Sequence, residues 1–198
     1  MAVGNVGNAL MGPADVYVGA QNIVTAAPTD ALINAAPAAS AWTDLGGTNG
    51  GADFQHNPKF TELMFDQVVD IVEERLTSRV IQVVVALAEN TLINLATSLN
   101  CTLETAGSNS LSFHPVYDKT ATQTPKVSLL LDGFAPPVTT PVAIASPRRR
   151  IYLPRTQQVG NISMVYAKDK QQLFNCTFKA YYVSGTVPPF RVTDQTGV

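Results

Sequence analysis

The rhythm of apolar and polar positions changes near Phe60. Upstream, Ala, Gly, Asn, Thr and Pro dominate, and only three short pieces look β-like: "DVYVG" (15–19), "ALINA" (31–35) and "AWTDLGG" (41–47). This predicts an extended N-terminal arm over 1–14, short strands after it and, from its Gly, Asn and Pro content, a loop over 46–58, "GGTNGGADFQHNP".

From Phe60 the period is two. In "FTELMFDQVVDIVEER" the acids Glu62, Asp66, Asp70 and Glu74 occupy even positions, and Leu63, Phe65, Val69 and Ile71 odd ones. A strand would therefore carry four carboxylates on one face and apolar side chains on the other. The four acids are also four apart, which a helix would align, but the β-branched and aromatic content of Phe65, Val68, Val69, Ile71 and Val72 favours strand. "LTSRVIQVVVALAE" (76–89) follows, apolar at both parities, as expected of a strand buried on both faces. A helix is predicted over about 89–99: Leu92, Leu95, Ala96 and Leu99 follow the i, i+3, i+4, i+7 spacing, and Asn100 tolerates a left-handed terminus.

The second half reads as strands separated by Pro, Gly and Thr turns: "LSFHPVY", "KVSLLLDGF", "PVAIA", "RRRIYLP", "NISMVYA" and "LFNCTFKAYYV". In the last, Phe174, Cys176, Phe178, Ala180 and Tyr182 alternate with Asn175, Thr177 and Lys179. The expectation is a mostly-β, sandwich or barrel-like domain over 15–184 with one flanking helix, and extended arms at 1–14 and 185–198.

Composition narrows the function. The 198 residues suit one domain, and 14% charged residues is well below the roughly 25% of an average soluble domain. A surface so poor in charge points to self-association, and the net charge of −2 gives no general attraction to nucleic acid. "VIQVVVALA" is too short to cross a membrane, and "MAVGNVGNALMG" has neither a basic nor a continuous apolar part of a leader, so the expectation is a chain made inside a cell. Cys101 and Cys176 are too few for a disulfide framework and read as buried thiols.

Candidate chemistry is sparse. His56 and His114 stand in no metal or triad motif, and "GGTNGG" lacks the Lys-Ser/Thr ending of a phosphate loop. No catalytic, cofactor-binding or metal-binding residue is predicted. Glu62, Asp66, Asp70 and Glu74 read as a solvated acidic face rather than a calcium or acid–base site. The basic stretch "SPRRRIYLPR" holds Arg148, Arg149, Arg150 and Arg155. On a strand Arg148, Arg150 and Tyr152 share one face and Arg149 joins Ile151 and Leu153 on the other, which divides the patch. Inter-strand or inter-subunit ion pairs are the expected use of these arginines, ahead of DNA binding.

Several segments in order, "WTDLGGTNGG", "FDQVVDIVEERLTSR", "VVVALAENTLINLATSLN", "RRRIYLPRTQQVGNISMVYAKDKQQLFNCTFKAYY" and "PPFRVTD", resemble the major tail tube protein of long-tailed, non-contractile bacteriophages of the actinobacteriophage type. The resemblance runs from about Asp15 to Asp194. It implies a β-sandwich with a flanking helix that assembles with itself into stacked, usually six-fold rings. The tube would sit in the virion after synthesis in the host cytoplasm. A tape-measure protein would occupy its lumen, terminator and distal tail proteins would cap its ends, DNA would pass in transit, and no membrane insertion, cofactor or catalysis would be involved. On this reading Glu62, Asp66, Asp70 and Glu74 are expected on the lumen face, because an acidic wall lets DNA slide where a basic one would hold it. The rival readings are another ring-forming tail protein, a terminator or distal tail subunit, and a β-sandwich module that binds carbohydrate. Such a module should show an exposed aromatic platform, whereas the one tryptophan, Trp42, sits in a Gly-flanked segment that the resemblance explains as packing.

Overall fold

Period-two stretches in this chain find partners almost entirely by antiparallel pairing. The computed structural model describes residues 12–20, 33, 35–66, 70–107, 110–115, 124–137, 144 and 146–196. Its strands are β1 (Asp15–Ala20), β2 (Trp42–Asp44), β3 (Thr48–Leu63), β4 (Glu73–Leu87), β5 (Glu104–Gly107), β6 (Ser110–Ser112), β7 (Val127–Phe134), β8 (Arg148–Gln158), β9 (Phe174–Ala180) and β10 (Arg191–Asp194). One helix, α1 (Leu92–Ser98), follows β4. The fold is mostly β, with an eight-stranded sheet in the order β2-β1-β7-β8-β9-β4-β3, and β10 added beside β8.

Strand β8 is where the sheet divides. Its first half pairs with β10 through Arg149–Tyr152, and its second half pairs with β9 through Thr156–Gln158. The two halves fold over one shared core: Val16, Val18, Leu129, Leu131 and Leu153 from one side meet Ile81, Val83, Val85, Leu87, Phe174, Cys176 and Phe178 from the other. A flat sheet could not bring residues of β1 and β4 into one cluster, so the arrangement is sandwich-like. Strand β4 is less buried than its apolar run suggests. Ile81, Val83, Val85 and Leu87 are buried, while the residues between them are only half-buried.

Strand β7 is covered twice. Leu129 and Leu131 face the main core, while Ser128, Leu130 and Asp132 are buried on the other face. Trp42 and Ile33 are also buried, and the Trp42 ring meets Tyr152 of β8 edge-on at 6.0 Å.

Three segments take a different structure from the one expected. Residues 48–58, read as loop, belong to β3. Gly50 and Gly51 adopt φ of +81° and +79° and fall at a register shift between Thr48 and Ala52, so they form a bulge that keeps the strand in its ladder. Beyond it, Ala52 and Phe54 pack on the core.

The single strand over 60–75 is instead the end of a hairpin. β3 stops at Leu63, Asp66 lies in a turn and Asp70 in a bend, and β4 starts at Glu73. Asp is a poor strand former and a good turn former, and Asp66 and Asp70 bracket the reversal. Val68 and Val69 lie outside the described residues. "NISMVYA" (161–167), expected as a strand, forms none, and no strand among the described residues pairs with it.

The helix is shorter than the expected 89–99. Thr91 caps it, its hydroxyl accepting from the Asn94 amide at 3.1 Å, and Asn100 has the left-handed φ of 54°. The buried face differs from the leucine stripe. Asn94, Ala96 and Ser98 are buried, whereas Leu92 and Leu99 are about 40% exposed. Asn94 can be buried because its amide donates to the Leu45 and Glu89 carbonyls at 2.8 and 2.9 Å.

The C-terminal arm is not wholly free. Residues 191–194 are β10, on this chain's own sheet. Residues 1–11 of the N-terminal arm, most of "ALINA" and "PVAIA", and the last two residues of "LSFHPVY" lie outside the described residues.

Candidate functional site

Pairing of β7 with β8 puts Asp132 directly opposite Arg150. Asp132 and Arg150 are each less than 5% exposed. The Arg150 Nε and Nη2 donate to Asp132 Oδ2 at 3.1 and 2.8 Å, and Arg148 Nη1 donates to the same oxygen at 2.8 Å. Arg150 Nη2 also donates to the Ala35 carbonyl. Two guanidinium groups thus converge on one carboxylate oxygen, while Asp132 Oδ1 is buried without a hydrogen bond. A buried charge is tolerable only when paired and hydrogen-bonded, so this cluster ties β7, β8 and the Ala35 segment together.

Arg149 points the other way. Opposite it on β10, Asp194 accepts a two-pronged contact, Nε to Oδ1 and Nη2 to Oδ2, both at 2.6 Å. That bond holds the Asp194 carboxyl below the usual carboxylate range and raises the guanidinium further. Arg155 reaches no carboxylate; its Nη1 donates to the Tyr182 carbonyl at 3.0 Å and its Nε is buried without a partner. The basic run is therefore largely committed within its own chain, between strands.

A depressed acid contributes stability that is present above its unfolded pKa and is lost as pH falls through the folded one. For Asp194 that loss starts below the ordinary carboxylate value of about 4. Both partners are more than a third exposed, so the contribution is at most about 1 kcal/mol. We predict that hydrogen-exchange protection factors of the β10 amides hold from about pH 6 to about pH 5 and fall as the pH drops below about 4, and that Asp194→Asn abolishes this pH dependence. Unchanged β10 protection across that range in the wild-type chain would contradict it.

The four acids are not gathered. Glu62, one residue before the end of β3, faces Glu74 across the hairpin, on the same side as the neighbouring pair of Phe60 and Leu76. Asp66 and Asp70 sit in the reversal. All four are exposed, and among the described residues none joins an ion pair. The face that alternation assigned to the acids is thus mixed, because Phe60 and Leu76 share their even positions.

What the sequence reading missed is the arm this creates. Residues 56–66 and 70–79 are exposed throughout, so the ends of β3 and β4 extend past the sheet as a two-stranded hairpin covered on neither face. Phe60, Leu63, Met64, Phe65, Ile71, Val72 and Leu76 are 45–60% exposed. An isolated two-stranded hairpin is marginal in water, and exposed apolar side chains in such number mark an interaction surface. Among the described residues β3 is also the last strand of the sheet, so no described strand pairs with its outer edge. The signal was present as two adjacent β-like runs with apolar residues at both parities and aspartates between them.

Other groups gather no chemistry. His114 contacts Glu104 at 3.1 Å on the surface, and His56 lies beside the Phe190 ring. Burial pushes the Cys176 thiol up to about 12 and raises Cys101. Among the described residues no group of His, Cys, Asp and Glu could hold a metal ion, and no helix is long and apolar enough to cross a membrane. A cavity of about 190 Å³ between β3, β7 and β8 is largely apolar apart from Arg149, whose guanidinium is engaged by Asp194. No family model matches the chain, and no curated protein matches it.

Proposed function

We propose that this chain is a non-catalytic structural subunit that assembles with copies of itself into stacked rings, the tail tube of a long-tailed bacteriophage. The observation that carries the self-assembly is the hairpin arm with uncovered apolar residues on both faces. The tube itself comes from the segment resemblance: six-fold rings, a tape-measure protein in the lumen, terminator and distal tail proteins at the ends, a place in the virion, and DNA only in transit. Unpaired strand edges suit such a role, since pairing between copies removes an aggregation hazard by assembly itself.

Within this proposal Glu62, Asp66, Asp70 and Glu74 contribute to the lumen face, where carboxylates would repel a moving phosphate backbone. A map of the assembled tube with these residues on the outer wall or in ring-to-ring contacts would remove that part of the proposal. Arg148, Arg149 and Arg150 hold strands within the subunit, which keeps their charge away from DNA. A carbohydrate platform built on Trp42 is disfavoured, because that side chain is buried against Tyr152.

Electron microscopy of the purified protein tests the function. Tubes of uniform diameter are the expected result; isolated rings would shift the assignment to a terminator or distal tail protein, and monomers at all concentrations would overturn self-assembly.

A further inference from the structure

The arm has a counterpart at the other end of the molecule. β8 ends at Gln158 and β9 begins at Phe174, and the chain between them returns beside the Leu87 end of β4: Val159 donates its amide to the Thr177 carbonyl at 2.8 Å, and Gln171 Nε2 reaches the Ala88 carbonyl at 3.4 Å. Ile162 packs on the core at the start of this connection. Between those anchors residues 163–171 are exposed, with Met164, Val165 and Tyr166 at 42%, 57% and 84%. Residues 161–167 make no backbone pairing among the described residues, although their composition is that of a strand. An extended, unpaired, apolar stretch suits pairing with an open sheet edge from outside.

The charges of the two ends are complementary. The described part of the arm beyond Lys59 carries Glu62, Asp66, Asp70, Glu73 and Glu74 against Arg75 alone, whereas the connection carries Lys168 and Lys170 against Asp169. The two cannot meet within one chain. β4 is 15 residues long, the arm leaves its Glu73 end and the connection lies at its Leu87 end, about 45 Å away at strand rise.

We infer that residues 161–171 are the seat for the hairpin arm of a second copy, so that subunits join head to tail. This rests on the self-assembly proposed above and adds its direction. Apolar side chains of the arm lie over Met164, Val165 and Tyr166, Glu73 faces Lys168 and Lys170 while Glu62 and Glu74 on the opposite face stay outside this charge contact, and the outer edge of β3 gains 161–167 as an added strand. A donor at one end and an acceptor at the other form a heterologous contact, which repeats without closing along the strand axis.

Two variants test it. Phe60→Thr with Leu76→Thr disables the arm while keeping strand-forming residues, and Val165→Ser, Tyr166→Ser, Lys168→Glu and Lys170→Glu together disable the seat. All these positions are exposed, so each variant should melt with the wild-type chain. Neither variant alone should lengthen into tubes, and their equimolar mixture should give a species of doubled mass that grows no further.

Tubes formed by the seat variant as readily as by the wild type would overturn the inference and leave self-assembly standing, as would a mixture that fails to join. A wild-type chain that never assembles would overturn both. A second measurement is independent of how the seat variant folds. In a chain carrying Met64→Cys and Val165→Cys, oxidation after assembly should give a ladder of disulfide-linked chains, since the two positions are too far apart to bridge within one chain. Assembled particles that yield only uncrosslinked chains would contradict the assigned contact.

Discussion

Asp132→Ala is expected to destabilise the fold by about 3–5 kcal/mol, read by denaturant unfolding. The size follows from burial. The side chain is almost fully enclosed, and its Oδ2 accepts three hydrogen bonds from Arg148 and Arg150. Removing it strips the carboxylate from a guanidinium that is 3% exposed, and a buried charge that loses its counterion costs far more than a lost surface pair. Against a total stability of roughly 5–15 kcal/mol, such a loss could leave much of the chain unfolded at 37 °C.

The two arginines should not respond alike. Arg148 is more than a third exposed, and Arg148→Ala leaves Asp132 paired with Arg150, so it should cost about 1 kcal/mol or less. Replacing Asp132 and Arg150 together by Leu and Met removes both charges from the interior and should recover much of the loss. A cost below about 1 kcal/mol for Asp132→Ala would mean that the cluster is not a stabilising tie between β7 and β8.

That cluster shows how far the sequence could be read. Period two in "RRRIYLPR" is enough to place Arg148 and Arg150 on one face and Arg149 on the other, because alternation is a property of the strand itself. The partner of each face depends on which strands become neighbours. Asp132 and Asp194 are distant in sequence, and only the pairing of β7 and β10 with β8 brings them opposite the arginines. The same limit explains the helix. Its leucine spacing was legible, but burial of Asn94 depends also on the carbonyl of Leu45, which its own segment does not contain.

The misread stretches share a different cause. Gly50 and Gly51 carry the local signal of a turn, yet a bulge uses the same left-handed backbone, and only pairing with β4 separates the two. In 60–75, acids at every fourth position kept one phase of alternation running through a chain reversal, so a hairpin resembled one long strand. Segment 161–167 is the converse case: its residues favour a strand, and no strand among the described residues pairs with it.

Replacing residues 60–77 by Asn-Gly, which joins Lys59 to its cross-strand partner Ser78 through a tight hairpin turn, is expected to abolish assembly while leaving the domain folded. Those of the removed side chains that the structure describes are exposed on both faces and belong to no part of the core, so thermal stability should change by less than about 1 kcal/mol. Their value lies outside the subunit. If the seven large apolar side chains each lose about 60 Å² of accessible surface on docking, the gross gain is about 10 kcal/mol per arm at roughly 25 cal/mol/Å². Fixing one subunit on another costs several to more than ten kcal/mol, so the contact is favourable only by the surplus. Losing the whole arm should therefore produce an all-or-none change rather than a graded one. Sedimentation and electron microscopy should show a soluble, non-elongating species at concentrations where the wild-type chain forms tubes, with improved solubility because the apolar patch has gone. Tubes of normal length from the shortened chain would remove the arm as the basis of assembly and leave the open strand edges to account for it.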